Sequence, residues 1–575
     1  MALTSCENYL DKPTEDGFDT SNYYSNDDQC RAGVNYLYNS PWYDFQRGFI
    51  KVGEVMSGNY YMGSSPYLTF TLNGDDESLA NMSAALWAVN THSMTVYGNL
   101  KASSGASEAV KNACMGEALT WKAMAYFYMV RTFGSVPIIH DPVEIINSMK
   151  TNDLYKAKIS NVYAYIIKTL EKAISLLPER DETGKGRIDK YCAKALLAKV
   201  YLTKAGFSEE NTTYNSGAYS YITCTAHQRN ADDLAKAADL ALDVIEHSGR
   251  ELMPVYSDIF RGHNNVSDES LIAWAWSANG AWTCQNTQQS DQAPQGFGEF
   301  GDNWGEWNGI SVDLMDAFGE NPSLKERQYI DTRRMATFAM AGDKYSYFFT
   351  DEGGFDMLKL VYQGYAKHQG SGKFQSPTGG YPVKHLVGDA ADHEAEGLGV
   401  MKFMYYGNYT HLLRLADVYL IYCEAAMGLN TSSSDPKVLD CFYKVRHRAI
   451  SSYTKPTSIT WEDVWKERRL ELAMEGDRWY DYVRRYYYDP QGAINEIKAQ
   501  RRNGYAGLDD VYKAYYESKY QSWSADPEKC HYDANTPAPN VTDRSFTIPM
   551  STVDILYNSH MMEAPVDTDI SDMNF

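Results

Sequence analysis

Hydrophobic residues recur along this chain at helical spacing in two blocks, separated by a long segment where that spacing is lost. In the first block Cys30, Val34, Leu37 and Tyr38 share a helix face, and Pro41 ends it. A helix is predicted over 79–100. The stretch 116–133 is apolar almost all round, which predicts a helix buried on several sides, ended by Gly134 and Pro137. Tyr155, Ile159, Val162, Ile166, Leu170, Ala173 and Leu177 form one long stripe. An Ala-rich helix over 189–203 follows, and then one over 231–247 that aligns Leu234, Ala238, Ala241 and Ile245. From 249 to 407 Gly, Trp, Asn and Gln rise, and only 312–318 keeps a helical pattern. In this segment Trp274 and Trp276 alternate with Ala, which reads as a strand with both rings in the core. The second block predicts helices over 411–427, 435–449 and 461–485, and the tail from 499 is mostly loop with short helices.

Antiparallel helix pairs with small residues at their contacts are the pattern of tetratricopeptide arrays. The expected fold is therefore all-α, a helical-repeat scaffold interrupted by a large irregular insertion. The parts are a tether over 1–25, an N-terminal helical part over 26–248, a loop-rich ligand-binding insertion over 249–407, and a C-terminal helical part over 408–575. A long irregular segment in a compact protein is usually functional.

The densest charge pattern lies at 467–485, ERRLELAMEGDRWYDYVRR. Thr460 is placed to cap its first helix, with Asp463 three residues on. Gly476 stops that helix, and Asp477 is placed to cap the next, where Trp479, Tyr482 and Val483 share a face. Glu467, Glu471 and Glu475 recur every fourth residue, so they stack and repel. The nearest cations are Arg468 and Arg478, each three residues from a glutamate. Arg468, Glu471, Glu475, Arg478 and Trp479 thus read as a structural clamp. The alternatives are a solvated face of weak salt bridges and a catalytic carboxylate pair. The clamp is preferred because every glutamate has an arginine in helical reach.

Composition narrows the chemistry. The net charge of −22 argues against nucleic acid and against anionic membrane as partners. No run of apolar residues is long enough to span a membrane as a helix. Nine cysteines occur without a CxxC pair, so a zinc ribbon or thioredoxin-like motif is unsupported. Cys30, Cys114, Cys192 and Cys423 fall on apolar helical faces and read as small core residues. Cys6 differs. Leu3-Thr4-Ser5-Cys6 resembles a bacterial lipobox, in which the cysteine is lipidated, and a polar tether follows it. No HExxH, GxSxG, Walker A, EF-hand or GxGxxG motif is present, and neither a cofactor nor a metal is expected.

The 467–485 stretch also resembles a hallmark of the SusD/RagB family. Further stretches resemble the family in the same order along the chain: 7–11 after Cys6, GEALTWKAMAYFYMVRTFGSVPI at 116–138, GRIDKYCAKALLAKVYL at 186–202, SVDLMDAF at 311–318, HLLRLADVYLIYCEAA at 411–426, and FTIPMSTVDILYNS at 546–559. Departures are small, such as Ser311-Val312 where the family usually has Pro-Thr. The resemblance implies about four tetratricopeptide-like helix pairs with a variable ligand-binding part. It also implies a lipid-anchored protein at the outer-membrane surface that binds oligosaccharide without cleaving it. Its partner would be a SusC-like TonB-dependent transporter.

Aromatic faces are the usual platform for sugars, and the chain carries 46 Tyr and 12 Trp, most of them expected in the core. Trp282, Trp304 and Trp307 sit among Gly, Asn and Gln, where each can serve as a ligand platform or as loop packing. Tyr60, Tyr61 and Tyr67 lie in an early loop that in the family commonly contributes ligand contacts. Asn303, Asn308 and Gln285 are amides able to pair with sugar hydroxyls, with ordinary turn chemistry as the alternative. A glycoside hydrolase is the second reading, since its carboxylates are paired in space rather than in sequence. A helical-repeat adaptor that binds protein is the third.

Overall fold

A computed structural model describes residues 23–149, 151–278, 281–300, 303–534 and 540–575. Within them the two helical blocks form one layer packed in chain order. Glu77–Ala102 lies on Glu108–Phe133, which lies on Ile159–Leu176, followed by Lys190–Lys204 and Ala231–His247. The next neighbour of Ala231–His247 is Leu415–Ala426, from beyond the insertion, and that helix packs on Pro436–Ala449 and Trp461–Glu471. Asp76, Ser107, Asp189 and Asn230 cap four of these helices, each accepting from the backbone N–H three residues on. Glu108–Phe133 is buried nearly all round from Gly116 onward, as its composition requires.

The insertion leaves and rejoins the scaffold at one place. Ser270–Trp274 pairs antiparallel with Thr410–Arg414, Trp274 opposite Thr410. This pairing corrects the expectation of a helix over 411–427. Thr410–Arg414 is a strand, and the helix starts at Leu415, because the neck of the insertion uses those backbone groups for pairing. Trp274 and Trp276 are both core, with Trp274 against Phe49 and the Trp276 indole N–H donating to Thr410 Oγ1 at 3.0 Å. Four helices of the insertion, Gln288–Gln292, Thr332–Thr337, Met357–Tyr362 and Ala390–Ala395, have five or six residues each, too short for periodicity to reveal. Met357–Tyr362 contributes to a second apolar core with Phe297, Phe348, Phe349 and Phe355, which Leu508–Glu517 from the tail completes.

Thr460 and Asp463 form the expected capping box. The helix nevertheless ends at Glu471, and the next one begins at Arg478. Between them Met474 and Gly476 take positive φ, and the carbonyls of Ala473 and Met474 turn to Lys384 and His385. Asp477 does not cap with its side chain, which instead meets Arg131 at 3.0 Å and Lys199 at 2.6 Å.

The glutamate row is neutralised by cations that helical spacing did not indicate. Glu467 pairs with Arg333 at 2.6 Å and Arg446 at 2.5 Å. Glu471 meets Arg333, Arg414 and Arg448, and Glu475 meets Arg414 at 2.7 Å and Lys384 at 3.0 Å. Arg468 turns to Asp417 and Asp481, while Arg478 lies 3.9 Å over the Trp465 ring and reaches Glu496. The reason is geometric. The helix has ended before Glu475 and Arg478, so they are not helical neighbours, and buried carboxylates take cations from whichever element packs on them. All five side chains, Arg468, Glu471, Glu475, Arg478 and Trp479, are buried. The lattice ties the insertion (Arg333, Lys384) and its neck (Arg414) to the C-terminal helices.

Candidate ligand-binding site

Tyr60–Tyr61 pairs antiparallel with Gly309–Ile310, Tyr60 opposite Ile310. This short ribbon seats the 303–308 loop against the early part of the chain. A cavity of about 240 Å³ opens between them, lined by Arg47, Lys51, Tyr60, Gln288, Asp291, Gln292, Trp304 and Asn308. Gln288, Asp291 and Gln292 fall at i, i+3 and i+4 of one helical turn, so one face of Gln288–Gln292 presents all three.

Two polar features mark this cavity. Gln288 and Gln292 are each 1% exposed, yet both polar atoms of the Gln288 side chain and the Gln292 Nε2 have no hydrogen-bond partner in the protein. A buried polar atom left unmade costs about 1–3 kcal/mol, so these amides suit a partner supplied from outside. The second feature is Asp291. Its carboxyl accepts from the Trp304 indole at 3.1 Å and from Thr287 Oγ1 at 3.2 Å, with Arg47 3.7 Å away. Burial raises its pKa, against the opposing pull of Arg47 and these donors.

Of the three sequence-predicted tryptophans, Trp304 lines the cavity, and Trp282 and Trp307 are exposed outside its lining. Trp304 is 43% exposed, Trp282 56% and Trp307 64%. Trp282 stands 6.0 Å from the Tyr43 ring and 6.4 Å from Tyr405. Its loop is pinned where Ser40 Oγ and Thr283 Oγ1 meet at 3.0 Å. Tyr43 lies four residues before Arg47 in the chain, and Arg47, Asp291 and Trp304 form one run of contacts. The half-exposed Trp304 ring with directed amides and one charged pair can stack on the apolar face of a sugar and pair with its hydroxyls.

The other sequence candidates have different places. Tyr67 is 1% exposed, and its hydroxyl donates to Asp76 Oδ1 at 2.7 Å, bracing the residue that caps Glu77–Ala102. Asn303 is also buried. It accepts from the Gly298 N–H and donates to the Gln289 carbonyl, which holds the loop bearing Trp304 and Trp307. Tyr61 is half-buried and follows Tyr60 in the strand, so its side chain leaves by the opposite face. Gln285 is buried against Gln46. Cys6 lies outside the described residues. Sequence reasoning missed Arg47, Lys51, Gln288, Asp291 and Gln292. The amide-rich run 285–292 was a visible signal, but which of its amides face inward depends on a helix too short to predict.

The sequence model of the SusD family matches residues 261–565. A second family model, described as starch-binding and associating with the outer membrane, matches residues 77–202. A SusD-like protein of Bacteroides ovatus is 31% identical over 582 aligned residues, covering 98% of this chain and 96% of the relative. Among solved structures, one crystallised with a xylogluco-oligosaccharide superposes with a TM-score of 0.77 at 29% identity, covering 94% of this chain and 100% of that one. A laminarin binding SusD-like protein shares the fold, with a TM-score of 0.59 at 20% identity over 82% of this chain and 94% of that one. With the family match covering more than half its length and a near full-length relative beside it, this chain belongs to the SusD family.

Proposed function

We propose that this protein captures oligosaccharide at the outer-membrane surface without cleaving it and passes it to a SusC-like TonB-dependent transporter. The observation that carries this reading is the cavity, where buried amides without protein partners lie beside the half-exposed Trp304. The Trp304 ring supplies stacking on the order of 1 kcal/mol. Gln288, Gln292 and Asn308 supply direction, with Arg47 and Asp291 as the charged edge. The relative crystallised with a xylogluco-oligosaccharide makes xyloglucan fragments the first ligands to try. Among the described residues lining the cavity Asp291 is the single carboxylate, whereas most glycoside hydrolases use two. That favours capture over hydrolysis.

Anchoring is proposed through lipid on Cys6, which agrees with a family described as associating with the outer membrane. No described helix is long and apolar enough to cross a membrane. The test is affinity electrophoresis on a polysaccharide panel headed by xyloglucan, with reducing sugar assayed in the same tubes. Retardation without sugar release is expected. Release of sugar would put the hydrolase reading first, and failure to bind any glycan class, with or without the transporter present, would end the proposal.

A further inference from the structure

A second cluster lies in the insertion, around His368. His368 and Asp389 are both fully buried, and His368 Nε2 stands 3.3 Å from Asp389 Oδ2. Glu299 brings a carboxylate oxygen to the same point, so that one donor atom from each of the three lies within 4.8 Å of the others. The Glu299 Oε2 is buried and has no hydrogen-bond partner. Lys367, the cation of the same turn, is already engaged by Asp351 at 2.6 Å.

Two of the three donors are held from behind. His368 Nδ1 is 3.1 Å from the Gly296 carbonyl, which can only accept, so the Nδ1 proton points there. In the neutral ring the Nε2 lone pair then faces a carboxylate oxygen, and two lone pairs at that distance need a cation between them or a proton on Nε2. The Phe349 ring stacks on His368 at 4.0 Å and 12° and fixes its plane. Asp389 Oδ1 accepts from the Asp392 N–H at 3.0 Å in a capping box, which leaves Oδ2 directed at the histidine. A ligating histidine whose other nitrogen donates to a carbonyl is the usual outer-shell arrangement of a metal site.

We propose that Glu299, His368 and Asp389 bind a zinc ion, with water as a fourth ligand. Tetrahedral zinc with bonds of about 2.0–2.1 Å spaces its ligand atoms by roughly 3.3–3.4 Å, which is the separation of His368 Nε2 and Asp389 Oδ2. Glu299 is partly exposed and gives the ion a way in. Bound there, zinc clips the 296–299 turn to the His368 turn and to the start of Ala390–Ala395. Gly298 in the same turn donates to Asn303 next to Trp304, so the clip steadies the loop with the exposed tryptophans. The site stands independently of the glycan reading.

The test uses the full chain, stripped with chelator and dialysed, then titrated with zinc chloride by calorimetry and analysed for metal by mass spectrometry. One zinc per chain is expected in the wild type, with a rise in Tm. Glu299→Gln, which keeps the shape of a partly exposed side chain, should weaken uptake at least tenfold and abolish the Tm rise while the circular dichroism spectrum stays unchanged. His368→Asn should do the same to uptake. No stoichiometric zinc in the wild type, or uptake unchanged in Glu299→Gln, would overturn the proposal. Stoichiometric calcium in place of zinc would overturn the assignment of the metal.

Discussion

Trp304 donates its indole N–H to Asp291 Oδ1 over 3.1 Å, tying a half-exposed ring to a carboxylate that lines the cavity. The bond fixes the plane of the ring before any ligand arrives, so less freedom is lost on binding. Trp304→Ala should therefore weaken glycan binding by about five- to tenfold, the scale of one ring contact, with Tm unchanged. Tyr67→Phe is the matched control. Its hydroxyl braces Asp76 away from the cavity, so affinity should hold within about twofold while stability drops by about 1 kcal/mol. Isothermal calorimetry on both variants decides this, and equal affinities would remove Trp304 from the site.

Gln288 gives a sharper contrast. Both of its side-chain polar atoms are buried without partners, which burdens the free protein. Gln288→Leu has similar volume and carries no such atoms. It should raise urea resistance, or leave it unchanged, while weakening glycan binding. Loss of stability together with unchanged binding would mean that Gln288 serves the fold alone.

Arg414 is fully buried and meets Glu269, Glu471 and Glu475. Arg414→Met fills the space but leaves three carboxylates short of a cation. Removing one partner of a buried pair costs about 3–5 kcal/mol, to be read from the urea midpoint. A loss below about 1 kcal/mol would show that Arg448, Arg333 and Lys384 suffice to hold the lattice.

Acid should unfold the protein through the same lattice. Burial alone would raise the Glu475 carboxyl, but Arg414 and Lys384 outweigh it and hold the pKa at about 2, against an ordinary 4.5. Glu424 is likewise held at about 2, by Arg484 and Arg229. A carboxyl depressed in the folded state adds stability that is complete above its unfolded pKa and is lost as pH falls through its folded value. The contribution of these two groups should thus be constant above pH 5 and fall between about 4.5 and 2, by on the order of 2–3 kcal/mol for each, beginning after the loss between about 6.5 and 4 expected from His385 and His411, whose burial lowers both to about 4. Glu424→Gln should lower stability at pH 7 and flatten that fall, as followed by urea melts across pH.

Gly476 combines two constraints. Its φ is +75°, and a Cβ there would come within 2.1 Å of the Phe49 ring. Its N–H also donates to Glu54 Oε1 at 2.6 Å. Gly476→Ala adds left-handed strain to a ring clash, so a loss of about 2–4 kcal/mol in thermal melts is expected. Gly428→Ala, also at positive φ but in open space, should cost no more than about 1–2 kcal/mol.

The sequence by itself determined the scaffold. Helices such as Ile159–Leu176 and Ala231–His247 are long and amphipathic, so their signal is local and repeats over many turns. It also determined that Trp274 and Trp276 face the core, and that Trp282, Trp304 and Trp307 sit in polar stretches where they are exposed. Only the tertiary structure decided the rest. Tyr67 became a brace and Tyr60 a cavity wall because one meets Asp76 and the other pairs with Ile310, 250 positions away. Glu467, Glu471 and Glu475 found Arg333, Arg414 and Arg446 rather than their helical neighbours, since a buried charge is satisfied by what packs on it in space. The cavity joins the early loop, a five-residue helix and the 303–308 loop, and no local pattern records which side chains such distant segments turn toward one another.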